Sequence, residues 1–184
     1  VYVAQHTSHS IKKFDMKGDF LMTMGGYPDL YYPFDVAVDA ELNIYVVELQ
    51  NHQIKVLDKT GKLLRTMGRY GSGNGQFKYP NRIAIDEDDN LYVSDYLNHR
   101  VQKFTKEGEF LANWGSLGSG DGEFDSPWGI GLGEHGNIYV ADWGNERVQV
   151  FDARGVFQLQ LRGQATLSKW ASDYLNVNPA ERRT

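Results

Sequence analysis

The sequence contains no cysteine. That absence excludes a disulfide framework, a thiolate zinc site and a cysteine nucleophile. No apolar run approaches the roughly 20 residues that a membrane-spanning helix needs. Basic residues are outnumbered, with 19 Lys and Arg against 24 Asp and Glu, for a formal net charge of −5. A generally basic nucleic-acid protein is thereby excluded, although a local basic patch is not. The five histidines, His6, His9, His52, His99 and His135, show no metal-ligand spacing such as HxxxH. An initiator methionine is also missing. Val1-Tyr2-Val3-Ala4 reads as the interior of a strand, so the chain is expected to be a piece of something longer. The lack of cysteine favours a cytoplasmic setting.

What is abundant is glycine, at 20 residues, and aromatics, with 4 Trp, 11 Tyr and 9 Phe. Many turns with many aromatics predict short strands. An internal repeat organises them. Pro33, Pro80 and Pro127 are spaced by 47, as are Asn43, Asn90 and Asn137, and Asn51, Asn98 and Asn145. Each unit holds four apolar segments. In the middle unit these are Ile83 to Ile85, Leu91 to Ser94, Val101 to Phe104 and a segment around Phe110-Leu111, broken by turns at Asn90 and Gly108. Residues 1–25 form a further copy that lacks its first segment.

Segments this short between Gly, Asn and Asp turns are strands. Four antiparallel strands in a strict repeat predict a β-propeller blade, whose two apolar faces are buried only by stacking on neighbours. The fold class expected is all-β, a propeller with blades at about 1–25 (partial), 33–67, 80–114 and 127–161. Fifteen strands make 3¾ blades, an incomplete ring, with the rest supplied by missing sequence or another chain.

At this level of detail the repeats resemble the NHL family. Pro80-Asn81-Arg82-Ile83-Ala84-Ile85-Asp86, Asn90-Leu91-Tyr92-Val93-Ser94-Asp95 and Asn98-His99-Arg100-Val101-Gln102-Lys103-Phe104 look like its consensus. The copy with Asn145-Glu146-Arg147 matches as well, while Asn51-His52-Gln53 and Ser8-His9-Ser10 are looser. The linkers Gly71 to Phe77 and Gly118 to Phe124 also fit. The resemblance covers about residues 1–161 and implies a six-bladed ring when complete. For function it implies TRIM-type ubiquitin ligases, translational repressors that bind single-stranded RNA, an amidating lyase or bacterial sensors. The lyase of that family needs a metal site and disulfides, which nothing in this sequence supports.

Strand order places the inter-unit linkers and the loops between second and third strands on one side, and the remaining turns on the other. The linker side collects the candidate ligand-binding residues Arg69, Lys78, Tyr79, Asn81, Arg82, Tyr96, His99, Trp128 and Trp143. Position for position, Leu49, Tyr96 and Trp143 are equivalent, as are Phe34, Asn81 and Trp128. An exposed aromatic ring would suit nucleobases or a peptide. The same aromatics could instead seal the seams between blades. Arg100 and Arg147, each five residues after Asp95 and Asp142, are expected to tie their loops through ion pairs, with Asn98 and Asn145 capping the same turns. The 69–82 stretch carries Arg69, Lys78 and Arg82 with no acid, whereas 116–129 carries only acids. That mixture gives little support for RNA and fits a protein partner at least as well.

No catalytic constellation, metal site or cofactor is expected. Asp86 to Asn90 reads as a solvated turn, since its length and glycine placement do not fit a calcium loop. After Leu161 the repeat fails to restart. Leu167, Trp170, Ala171, Tyr174 and Leu175 instead predict a short amphipathic helix within a 162–184 tail. The expected function is a non-catalytic recognition platform, recruiting a protein partner or ubiquitination substrate in a TRIM-like ligase. Single-stranded RNA binding is the alternative, and no membrane association is expected.

Overall fold

The computed structural model describes residues 1–162, apart from the side chain of His135. The helix expected at 167–175 lies outside the described residues. The described chain is all-β, in four antiparallel sheets. The first holds β1 (Tyr2–Gln5), β2 (Ser10–Phe14) and β3 (Phe20–Gly25). The second holds β4 (Pro33–Val38), β5 (Ile44–Glu48), β6 (Gln53–Leu57) and β7 (Leu63–Met67). The third holds β8 (Pro80–Ile85), β9 (Leu91–Asp95), β10 (Arg100–Phe104) and β11 (Phe110–Trp114). The fourth holds β12 (Pro127–Leu132), β13 (Ile138–Asp142), β14 (Arg147–Phe151) and β15 (Phe157–Arg162).

Within each sheet the strands pair in chain order, as hairpins require. β4, β8 and β12 pack beside one another as inner strands, and β1 sits against β4. The sheets are therefore blade-like layers around a common axis, in an arc that does not close.

The core lies in the seams between sheets. One seam buries Tyr45, Val47, Ile54 and Val56 of the second sheet against Ile83, Leu91, Val93 and Phe104 of the third. The next buries Tyr92 and Val101 against Ile138, Val140 and Phe151. Each fully buried apolar side chain contributes about 1.5–3 kcal/mol. Each linker drives one apolar residue into the seam it crosses: Leu30, Phe77 and Phe124 are all fully buried. Phe77 and Phe124 lie so close to Gly68 and Gly115 that a Cβ there would fall 2.4 Å from the ring. Both glycines also have left-handed backbone, at φ +85° and +102°.

The inner strands start earlier than the apolar pattern predicts, at the prolines themselves. Proline is tolerated as the first residue of a strand because its missing N–H faces away from the ladder. Each inner strand then slips register by one residue, between Pro33 and Asp35, Pro80 and Arg82, and Pro127 and Gly129. Phe34, Asn81 and Trp128 are the residues left unpaired, and a bulge of this kind re-aims its side chain.

Candidate functional site

The linker side is built on a repeated polar knot. Arg100 Nε donates to Asp95 Oδ2 at 2.8 Å, and its Nη2 donates to the carbonyls of Gly73 and Gln76 at 2.8 and 2.9 Å. Asp95 also accepts from Asn98 Nδ2 and Gln102 Nε2, and from the Lys78 amide at 2.7 Å. The cluster thus ties the linker, at Gly73, Gln76 and Lys78, to the loop that begins at Asp95. Arg147 repeats the arrangement with Asp142 at 2.7 Å and the carbonyls of Gly120 and Glu123 at 2.8 Å, and Asn145 Nδ2 joins Asp142 at 2.9 Å. In the second sheet Gln53 Nε2 donates to Glu48 at 2.6 Å in place of the arginine.

A second tie runs from each blade to the next. Nδ1 of His9, His52 and His99 accepts the backbone N–H of Tyr32, Tyr79 and Ser126, at 3.0, 3.1 and 3.1 Å. Each histidine has left-handed backbone, and so does each donor residue. The accepting Nδ1 requires a neutral ring with its proton on Nε2. Burial pulls His52 below its usual imidazole pKa, with the charge of Asp95 opposing.

At the axial end of the inner strands lies an aromatic mouth. The bulges turn Phe34 and Trp128 toward each other, with ring centroids 5.7 Å apart and edge to face, although a whole blade separates them in sequence. Tyr96 meets the same Trp128 at 5.3 Å. His6 stands 6.2 Å from Phe34 on the other flank. The Arg82 guanidinium lies over Phe34, 4.9 Å from its centroid, and donates to the Asn81 carbonyl at 3.0 Å.

One position further along β4, Asp35 Oδ2 accepts the Ile83 amide of β8 at 2.9 Å. Burial raises the Asp35 pKa, while the Ile83 amide and then Arg82 pull against it. The mouth thus combines aromatic walls, a cation and a carboxylate of heightened basicity.

Among the expected ligand-binding residues, Arg82, Tyr96 and Trp128 converge here. Trp143, 68% exposed, lies beside Trp128 on a shallow cleft of about 610 Å³ along the free face of the fourth sheet. Lys78, Tyr79 and Arg69 gather elsewhere on the linker side. Tyr79 packs edge-on against His52 at 4.6 Å, the Lys78 ammonium lies 6.0 Å from the Tyr70 ring, and Arg69 is exposed. His99 is engaged with Ser126. Asn81 is fully buried, with Oδ1 accepting from Ser94 Oγ at 2.5 Å, because its bulge turns inward where those of Phe34 and Trp128 turn outward. Asp35 and His6 were not among the expected residues. The signal for Asp35 is the change of charge along the equivalent positions Asp35, Arg82 and Gly129.

Among the described residues no group of three His, Asp or Glu is placed to hold a metal, and no helix is long and apolar enough to cross a membrane. Asp86 is taken up by the Asn90 side chain and amide and by the Tyr92 hydroxyl.

Residues 77–104 and 124–151 match the family model for the NHL repeat. No curated protein matches the sequence. The fold is similar to that of virginiamycin B lyase from Staphylococcus aureus, at TM-score 0.67 and 16% identity, over 89% of this chain and 52% of the lyase. A catalytically inactive histidine-to-alanine variant of that lyase, solved with quinupristin, aligns at TM-score 0.68 and 16% identity over 90% of this chain and 52% of the variant. Hydrazine synthase from Kuenenia stuttgartiensis aligns at TM-score 0.65 and 14% identity, over 86% of this chain and 44% of the synthase. The chain thus spans about half the length of these structures. At such identities the likeness is one of fold, and no residue role carries across.

It does overturn the expectation of a non-catalytic platform, and with it the ubiquitin-ligase and RNA-binding readings. Solved structures that share this fold, over about half of their own length, include lyases and a synthase. Lack of cysteine or of a histidine metal motif excludes enzymes that need those groups, but not acid–base chemistry by carboxylate and arginine.

Proposed function

We propose that this chain is part of a closed, six-bladed propeller enzyme acting by elimination, with its substrate bound at the aromatic mouth. The observation that carries the reading is the placement of Asp35 and Arg82 at equivalent positions of adjacent inner strands, directly behind Phe34, Tyr96 and Trp128. The similarity in fold to lyases supports it.

Elimination requires a base to take a proton from carbon. The C–H electron pair becomes the new double bond while the bond to the leaving group on the adjacent carbon breaks, and the leaving group departs with its own pair. Asp35 is suited to the first task, because burial makes its carboxylate more basic than an exposed one. Arg82 is suited to the second, since a guanidinium held against an aromatic face stabilises negative charge that develops on a departing oxygen. Phe34 and Trp128 would hold an apolar or aromatic part of the substrate.

The test uses the whole protein and a panel of small organic anions that carry an aromatic group, with quinupristin included. Tryptophan fluorescence reports binding, and chromatography reports loss of ligand. A ligand that quenches the native protein but not Trp128→Phe, and is consumed, is the expected result. Asp35→Asn should then lower kcat by roughly 10²–10⁴-fold while quenching persists. A panel that neither quenches nor is consumed, or turnover untouched by Asp35→Asn, would sink the reading.

A further inference from the structure

The repeat provides its own control for the turn side of the molecule, away from the mouth. In the seam between the second and third sheets, three contacts close the turn side. Lys106 Nζ meets Glu41 at 2.6 Å and Asp89 at 4.0 Å. The Ala40 amide donates to Asp89 Oδ1 at 3.2 Å. Arg65 donates to the Lys106 carbonyl, and the Tyr45 hydroxyl, which donates to Asp39 at 3.1 Å, lies 3.2 Å from that carbonyl.

One repeat later all three closing side chains are gone. Ala153 stands where Lys106 would be, Ala112 replaces Arg65, and Gly136 replaces Asp89. The seam between the third and fourth sheets opens there into a cleft of about 900 Å³. One of the two carboxylates on Lys106, Asp89, is lost with the cations, but the equivalent of the other, Asp88 in place of Glu41, is kept. Asp86, Glu87, Asp88 and Glu134 line it, and Lys103, 3.8 Å from Asp86 and 4.8 Å from the Tyr92 ring, is the one cation among the lining residues.

We propose that this cleft binds a small organic cation bearing ammonium and guanidinium groups, which take the places that Lys106 and Arg65 fill one seam earlier. Two independent observations carry this. A cavity of ligand size opens in the seam where the three closing side chains are missing. And Glu41, the equivalent of Asp88, holds the Lys106 ammonium in the closed seam, where the Arg65 guanidinium docks on the Lys106 carbonyl. Asp86 keeps its structural bonds to Asn90 and Tyr92, so the exposed Asp88 and Glu134 are the groups that meet the ligand's charge. The site is independent of the mouth and of any reaction there.

Agmatine carries both groups and is the probe. Titrated into the whole protein at low salt, it should give saturable shifts in the NMR signals of Gly133 and Gly136, weakening as salt is raised. The variant Ala112→Arg with Ala153→Lys copies the closed seam, so it should fold and bind agmatine at least 10-fold more weakly. Asp88→Asn with Glu134→Gln should weaken binding by a similar factor, and neither pair should alter quenching at Trp128. Absence of saturable shifts at millimolar agmatine, or shifts unchanged in the closed-seam variant, would overturn the proposal.

Discussion

A histidine that accepts a backbone N–H through Nδ1 loses that bond once the nitrogen is protonated. His52 is the clearest case, since burial already holds its pKa below the ordinary value of 6.5. The sign follows from linkage. The unfolded chain takes up the proton more readily than the folded one, so the contribution of His52 is complete above the unfolded pKa. It is lost as pH falls below that value toward the lower folded pKa. We expect urea midpoints of the whole protein to fall between pH 7 and pH 5. His52→Ala should cost about 1 kcal/mol at pH 7 through the missing acceptor, and should flatten part of that acid slope. An unchanged slope in the variant would show that His52 is not a source of it. The spacing of His9, His52 and His99 is legible in the sequence as a repeat. Their partners are not, because the bond joins one unit to the next and its donors, Tyr32, Tyr79 and Ser126, share no side-chain chemistry.

At the scale of the element, the loop between second and third strands is held by an Asp–Arg pair in the third and fourth sheets, whereas in the second the carboxylate of Glu48 meets Gln53 and, at 3.4 Å, the Lys55 ammonium. That contrast makes a graded prediction. Arg100→Leu leaves Asp95 buried without its cation and should cost about 3–5 kcal/mol. Arg100→Gln should cost less, because Gln53 in the same place donates to Glu48 at 2.6 Å. Equal losses in urea unfolding would mean that the linker carbonyls at Gly73 and Gln76, rather than Asp95, are what Arg100 serves. The Asp–Arg spacing and the strand alternation can be read from the residues, since both are local. The bulges cannot. Phe34, Asn81 and Trp128 occupy one register position, yet only packing decides that two face the mouth while the third turns under Ser94. The turn-side cleft is hidden for a related reason. Ala112 and Ala153 mean nothing singly, and become informative only when the seam they border is set beside its predecessor.

For the molecule as a whole, the fourth sheet records what its position lacks. Tyr45 and Tyr92 are 0% and 2% exposed, whereas the equivalent Tyr139 is 38% exposed and Leu159, in register with it across β14, 47%. In a closed ring that face would be covered by another sheet. Tyr139→Lys in the whole protein should therefore cost about 2 kcal/mol or more, as an amine is forced into a dry seam. A neutral effect on the thermal midpoint would mean that the face stays open to water. The period of 47 residues makes the sheets themselves predictable. Which sheet faces stay open is a matter of surfaces, which no single repeat encodes.

The histidine ties have a direction. In each pair the acceptor precedes its donor in the chain, His52 by 27 residues before Tyr79 and His99 by 27 before Ser126. A chain leaving the ribosome thus displays a finished acceptor before the next blade's entry has been made. Each described blade after the first meets an acceptor already made in the blade before it. Assembly can run from the N-terminus as synthesis proceeds, each addition setting the place of the next.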